Sequence, residues 1–177
     1  MLAKDIFMID MVLGYLAWAL CIATYVWPRM KAMNRVDAHR AITTFNSFRF
    51  FGLIFLLPGF VGPNLPQAFA VPAAYGDLAT ALLAILALLT VRVNFLFWPL
   101  VWAFNLVGLA DLLMNTANAV RLDLPSVAGQ LGASYAIVIL YVPALFLMHC
   151  LALWLLLRPA HGLIRSTGTP ASFVVTE

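Results

Sequence analysis

Five long apolar runs occupy most of this sequence, and they constrain its fold more than any motif does. They cover about residues 6–27, 45–62, 71–91, 93–116 and 133–157. A run of about 20 apolar residues has the length of an α-helix that crosses a bilayer. Only 10% of the residues are charged and 64% are hydrophobic, far from the roughly 25% charged residues of soluble domains. The sequence therefore predicts an all-α integral membrane protein, a compact bundle of five transmembrane helices.

The segments between and after these runs predict the domain organisation. Residues 29–44 mix basic and apolar side chains, which is typical of a helix that lies at the cytoplasmic membrane interface. The tail, residues 166–177, is rich in Ser, Thr and Val with a single Pro, and it is predicted to be disordered. Residues 1–165 are accordingly expected to form one membrane domain.

The distribution of basic residues predicts the orientation. With five crossings, one side of the membrane has only Lys4 and Arg121, and the other collects Arg29, Lys31, Arg35, Arg40, Arg92, Arg158 and Arg165. Short loops that are rich in Lys and Arg remain in the cytoplasm. We therefore expect the N-terminus outside and the C-terminus in the cytoplasm, with the plasma membrane, as in a bacterial inner membrane, as the location.

Three carboxylates, Asp10, Asp77 and Asp111, lie inside the predicted spans, all toward the outer face. An ionisable group in the membrane is costly, so such a residue is usually paired or functional. Asp10 and Asp77 either cap helices that begin late or face a polar site. Asp111 lies near the end of its helix, where the helix dipole disfavours an anion. Arg121 is its expected ion-pair partner and Asn115 its expected hydrogen-bond neighbour.

A second polar layer is predicted toward the cytoplasm. Arg49 lies about four residues into the second run, where it either extends to the interface or binds an anion. His149 lies about eight residues from the end of the last run, and Asn105 lies between this layer and the acids. A single intramembrane histidine is more often a satisfied structural residue than a ligand, and bis-His haem needs a second one.

The sequence lacks the motifs of several function classes. Cys21 and Cys150 lie in apolar runs without CxxC or Cys/His spacing, so neither a disulfide framework nor a metal site is predicted. No cofactor is predicted. Topology accounts for the basic residues, and nucleic acid is not an expected partner. The common hydrolase, zinc-protease and phosphate-binding motifs are absent from the sequence, so no catalytic residue is assigned.

Three functions remain open. The first is binding or transport of a hydrophobic or amphipathic small molecule in a pocket between helices, with an acidic outer mouth. The second is a membrane enzyme that uses carboxylate acid–base chemistry on a lipid-like substrate. The third is an accessory subunit of a larger membrane complex. A non-enzymatic role is slightly favoured, with lipid or an apolar molecule as partner, and with self-association or a larger complex as a further expectation.

Overall fold

The computed structural model describes residues 2–158, and this part of the chain is helical without a β-strand. Four helices are long and apolar enough to cross a membrane: α1 (Ala3–Ala32), α3 (Gln67–Leu89), α4 (Asn94–Arg121) and α5 (Ile137–Leu157). A shorter helix, α2 (Arg35–Ser47), lies between the first two of these. The expected end of the domain at residue 165 and the tail, residues 166–177, lie outside the described residues.

α1 is longer than the sequence predicts. It continues through a π-helical turn, Ile22–Val26, into the last segment, Trp27–Ala32. Pro28 lacks the backbone N–H that an α-helix needs, and a local widening of the helix accommodates such a break. The prediction of one interfacial segment over residues 29–44 is wrong, because its first residues extend α1 and a new helix begins after Asn34, whose side chain accepts a hydrogen bond from the Asp37 N–H at 2.8 Å.

The second predicted run, residues 45–62, does not form one α-helix. α2 ends at Ser47, the chain continues as a 3₁₀ segment over Phe48–Leu56, and Leu57 is extended. Aromatic residues and glycine, which favour the α-helix only weakly, make up more than half of this segment. α2 packs along α3, and its buried face also reaches the last two long helices, where Ile42 joins an apolar cluster with Met148 and His39 contacts the Trp98 ring. The buried residues of α2 are Ala38, His39, Ile42, Thr43 and Asn46.

α3 and α4 form a tight antiparallel hairpin, as their short link predicts. The link covers only residues 90–93, and a row of buried alanines on α3 lets the backbones approach closely. Both helices extend beyond their predicted bounds. α3 begins at Gln67 rather than residue 71, and α4 ends at Arg121 rather than residue 116.

Contacts at the two ends of the bundle show how the elements run. At one end, which we call the basic end, Trp27 and Trp154 have ring centroids 4.3 Å apart, and Arg35 donates to the Leu156 carbonyl at 2.7 Å. At the other, the distal end, the Lys4 ammonium lies 3.3 Å from Asp123, and the Gly62 N–H donates at 2.7 Å to the carbonyl of Gln130. α2 with its 3₁₀ segment therefore runs from the basic end to the distal end, beside α3.

The connection from α4 to α5 lies at the distal end. A 3₁₀ stretch, Leu124–Ser134, packs against the first turns of α1, and Gly132 adopts a positive φ of 54° where the chain reverses. A Cβ at Gly132 would meet the Phe60 carbonyl, so glycine suits this position for both its conformation and its size. α5 follows at Ile137, a few residues after the predicted start at residue 133.

Candidate functional site

Arg49 lies at the centre of a buried polar cluster near the middle of the bundle. Its side chain has no exposed surface. Nε and Nη2 both bind Asp77 Oδ1, at 2.7 and 2.6 Å, and Nη2 also binds Asp111 Oδ2 at 2.6 Å. Nη1 donates to the Gly108 carbonyl at 3.2 Å and lies 3.1 Å from His149 Nε2. Each of the three guanidinium nitrogens therefore has at least one hydrogen-bond acceptor.

His149 and Asn105 extend this cluster on the side away from the acids. Because Arg49 Nη1 can only donate, His149 Nε2 must accept, and the ring is the neutral tautomer with its proton on Nδ1. Nδ1 then donates to Asn105 Oδ1 at 3.0 Å, and Asn105 Nδ2 donates to the Val101 carbonyl at 2.7 Å. The guanidinium thus fixes every donor and acceptor of this branch.

On three elements, a glycine leaves the space that a side chain of the cluster occupies. A Cβ at Gly52 would overlap the Asp77 carboxylate, and one at Gly76 would overlap that of Asp111. A Cβ at Gly108 would come within 2.5 Å of His149 Nε2. Neither Gly52 nor Gly76 is predicted as part of the site from the sequence. A glycine inside an apolar helical run is the signal that points to such a close approach.

We call Arg49, Asp77, Asp111, His149 and Asn105 the Arg49 cluster. Asp77 is the eleventh of the 23 residues of α3, and Asp111 lies ten residues before the end of α4. The prediction of separate acidic and basic layers is wrong, because Arg49 contacts both carboxylates directly. A capping role for Asp77 is wrong too, since α3 begins ten residues earlier.

Two predicted site residues, Asp10 and Arg121, make no contact with the cluster. Asp10 accepts a hydrogen bond from the Tyr135 hydroxyl at 2.6 Å, and because it lies well inside α1, it does not cap the helix. Arg121 is the exposed last residue of α4. The ion-pair partner of Asp111 is Arg49, so the pairing of Asp111 with Arg121 is a wrong prediction.

Asn115 lies between the cluster and a cavity. The hydrogen bond that the sequence predicts between Asn115 and Asp111 is present. Asn115 Nδ2 donates to Asp111 Oδ1 at 2.9 Å, which leaves Asn115 Oδ1 as an acceptor. This oxygen is buried and has no hydrogen-bond partner among the described residues. Asp77 also has an oxygen that Arg49 does not contact, because both contacts from Arg49 reach Oδ1 and leave Oδ2 free within residues 2–158.

The cavity has a volume of about 250 Å³ and extends from the Arg49 cluster toward the distal end. Asp77, Asn115 and Thr116 are the polar residues of its wall. The remaining wall is apolar and comes from α1, both 3₁₀ segments, α3, α4 and the start of α5, including Phe7, Met8, Met11, Phe55, Phe69 and Ala119. Of the three predicted acids, Asp77 lines this space, at the end next to the Arg49 cluster.

The polar groups that face the cavity are suited to bind a ligand that donates hydrogen bonds. Within residues 2–158, no group of three or more His, Cys, Asp or Glu side chains is arranged to hold a metal ion. The carboxylates are bound to Arg49, and the groups that face the cavity, Asp77 and Asn115, offer oxygen atoms. An occupant of the cavity would thus meet an apolar wall and, at one end, hydrogen-bond acceptors.

Over residues 2–158, the fold and the site define an all-helical protein with four helices of membrane-spanning character around a buried Arg–Asp cluster. Residues 6–157 match the model of a family described as "Domain of unknown function (DUF8737)", and the chain belongs to this family. Comparison with curated protein sequences gives no match. Comparison with solved structures gives none either.

Proposed function

We propose that this protein binds, and in this way carries, a hydrophobic or amphipathic small molecule within the plane of a membrane. The observation that carries the proposal is the cavity beside the Arg49 cluster, in which an apolar wall ends at Asp77 and Asn115. Binding sites for small molecules are mainly apolar and contain a few polar groups that orient the ligand. Helix bundles form such sites between their helices.

The size of the cavity fits a small ligand or one segment of a larger one. An engineered cavity of about 150 Å³ is large enough to bind benzene, and this one is about 250 Å³. Burial of each CH₂ group contributes about 0.8 kcal/mol. A six-carbon chain thus gains roughly 5 kcal/mol, which corresponds to a Kd of a few tenths of a millimolar.

The bundle crosses the membrane five times in this proposal. Four crossings are the long apolar helices, and the fifth is the end of α2 together with the 3₁₀ segment, about residues 41–56. Seven α-helical residues at about 1.5 Å and nine 3₁₀ residues at about 2.0 Å give a length near 29 Å. This length matches the hydrocarbon core of a bilayer, about 30 Å.

The basic end is the cytoplasmic end in this arrangement. It carries Arg29, Lys31, Arg35, Arg40, Arg92 and Arg158, whereas the distal end has Lys4 and Arg121. Tryptophans also lie there, with the Arg158 guanidinium 3.2 Å from the Trp154 ring centroid. Aromatic and basic residues together are typical of an interface with lipid headgroups. The N-terminus is then outside, and a plasma membrane is the proposed location.

The contacts of Asp111 argue against a role for this carboxylate as a general acid or base. A general acid or base must reach a reacting group with a free oxygen, but Asp111 is occupied on both oxygens, by Arg49 and by Asn115. The accessory-subunit alternative draws on the same contacts, since an ion cluster that only locks helices together needs no ligand. An enzyme would chemically change the molecule in the cavity, whereas an accessory subunit needs no molecule there.

Filling the cavity tests the proposal. Ala119 lines it, whereas Ala117 on the same helix is exposed. The protein, its Ala119→Leu variant and the matched Ala117→Leu variant would be purified in lipid nanodiscs, and bound small molecules identified by mass spectrometry. We expect a molecule that is retained by the wild type and Ala117→Leu and is lost from Ala119→Leu.

Other outcomes distinguish the alternatives. If the same molecule is recovered from the wild type in a chemically altered form after incubation, the protein is an enzyme. If all three proteins, equally folded by circular dichroism, retain the same molecules in the same amounts, the cavity is not a binding site and the carrier proposal fails. The accessory-subunit alternative then gains support from any protein that co-purifies stoichiometrically.

A further inference from the structure

The formal charge of the Arg49 cluster is not balanced by its own residues. One guanidinium contacts two carboxylates, so the fully ionised cluster carries one net negative charge. His149 accepts a hydrogen bond from Arg49 and is neutral, so it contributes no charge. A net charge that is buried among apolar helices costs several kcal/mol. The cluster therefore requires one further positive charge.

The unsatisfied acceptors place that charge at the cavity. Arg49 Nε and Nη2 both reach Asp77 Oδ1, and no hydrogen bond among residues 2–158 is directed at Asp77 Oδ2. Asn115 Oδ1 is a buried acceptor without a partner in this part of the chain. Both residues line the cavity. An occupant that donates hydrogen bonds and carries a single positive charge satisfies both requirements.

Among residues 2–158, Asp77 is the one charged residue that lines the cavity, and the second 3₁₀ stretch contributes only Leu124 and Pro125. Arg49 comes from the first 3₁₀ segment, Asp111 from α4 and His149 from α5. The Tyr141 hydroxyl, also on α5, donates to the Phe45 carbonyl at 2.9 Å. The α1 residues of the cavity wall are Phe7, Met8 and Met11, none of which is titratable. The charge of the cavity end is therefore set by Arg49 and the two carboxylates.

We propose that the ligand is an amphipathic primary amine, whose ammonium group binds between Asp77 and Asn115, and that it exchanges there with one proton. In the empty protein the balancing charge is a proton on the free oxygen of Asp77. When the ammonium enters, this proton leaves to solvent, and the N–H groups bind Asp77 Oδ2 and Asn115 Oδ1. One cation enters for each proton released, so the charge of the cluster does not change. This inference rests on the proposed function.

Three probes of equal length test the inference: hexylammonium, hexan-1-ol and hexanoate. Each would be titrated by calorimetry into the nanodisc-embedded protein at pH 7, in two buffers with different ionisation enthalpies, with empty nanodiscs as the blank for membrane partitioning. We expect the ammonium to bind at least tenfold more tightly than the alcohol, and hexanoate to bind weakest. About one proton should be released per ammonium bound, and none with the alcohol.

The Asp77→Asn variant provides the control. It retains one carboxylate for Arg49, so its cluster is neutral without an added proton or cation. We expect the preference for the ammonium and the proton release to disappear, and circular dichroism in the same nanodiscs verifies that the variant is folded. The Asn115→Leu substitution should weaken the binding of hexylammonium more than the binding of hexan-1-ol.

The results separate the two proposals. If the three probes bind the wild type with similar affinities and no proton is released, the amine inference is overturned while the cavity remains a binding site. If the ammonium is preferred equally by the wild type and Asp77→Asn, the inference is overturned as well, because Asp77 then does not supply the charge. If no probe binds above the empty-nanodisc blank, the proposed function fails together with the inference.

Discussion

Replacing Arg49 by Met should destabilise the protein far more than any substitution of an exposed basic residue. The variant removes three charge-assisted bonds to carboxylates, each worth roughly 1.5 kcal/mol at the low end. Their sum, about 4 to 5 kcal/mol, agrees with the 3–5 kcal/mol that removal of one partner from a buried ion pair typically costs. Asp77 and Asp111 then remain in the bundle without their cationic partner.

The assay is unfolding in mixed micelles with increasing SDS, followed by circular dichroism. Arg40→Met is the matched control, because Arg40 lies 3.4 Å from Asp37 in an ion pair whose side chains are 54% and 44% exposed. Such a pair contributes at most about 1 kcal/mol.

The triple variant Arg49→Met/Asp77→Asn/Asp111→Asn should recover at least half of the loss, since no unpaired charge is then buried. If Arg49→Met and Arg40→Met lower the free energy of unfolding by similar amounts, the Arg49 cluster is not a buried ion network and the reasoning is refuted.

Three further predictions concern packing, pH and topology. Gly76→Ala should cost about 1–3 kcal/mol by overpacking, and Gly129→Ala, where a Cβ meets nothing within 4 Å, should be nearly neutral; equal losses in SDS titrations would contradict the close approach. Burial, and then the Arg35 charge, lower the pKa of His39 to about 4. The unfolded chain therefore binds a proton that the folded chain does not, and stability should fall by about 3 kcal/mol between pH 6.5 and pH 4. The same pH series on His39→Phe should lack this component, and an unchanged profile would refute it. In a background without Cys21 and Cys150, a cysteine at Arg92 should react with an impermeant maleimide only from the cytoplasmic side and one at Val120 only from outside; the reverse pattern would invert the proposed orientation.

The sequence predicts the four long helices well because their signal is local. Length and hydropathy alone identify a membrane-compatible helix, and the errors are confined to the ends. α3 begins at Gln67, behind a Pro-rich turn that resembles a loop, and α4 continues through polar residues to Arg121. These end errors matter for function, because the depth of a residue is counted from the start of its helix.

The Arg49 cluster illustrates this consequence. Counted from the predicted start at residue 45, Arg49 lies about 6 Å from the basic end; counted from Arg35, where α2 begins, it lies fourteen residues and roughly 21 Å away. A start four residues earlier moves Asp77 from the rim of its helix to the middle. The sequence identifies the three charged residues, but only the packing of α2, α3 and α4 shows that they meet.

The cavity could not be predicted from the sequence. Its wall comes from residues on α1, α3, α4, α5 and both 3₁₀ segments, and no local pattern distinguishes these apolar side chains from those that face lipid. Asn115 is a partial exception. Its four-residue spacing from Asp111 predicts their hydrogen bond, and this bond in turn fixes which amide oxygen faces the cavity.

The most direct test of a ligand site in this cavity is NMR of the methionine methyl groups in nanodiscs. Met8 and Met11 line the cavity, whereas Met30 and Met148 lie in the apolar cluster near the basic end. On titration with hexan-1-ol or hexylammonium, the resonances of Met8 and Met11 should shift with saturation while those of Met30 and Met148 remain in place. Saturable shifts of Met30 and Met148, with Met8 and Met11 unmoved, would contradict the account.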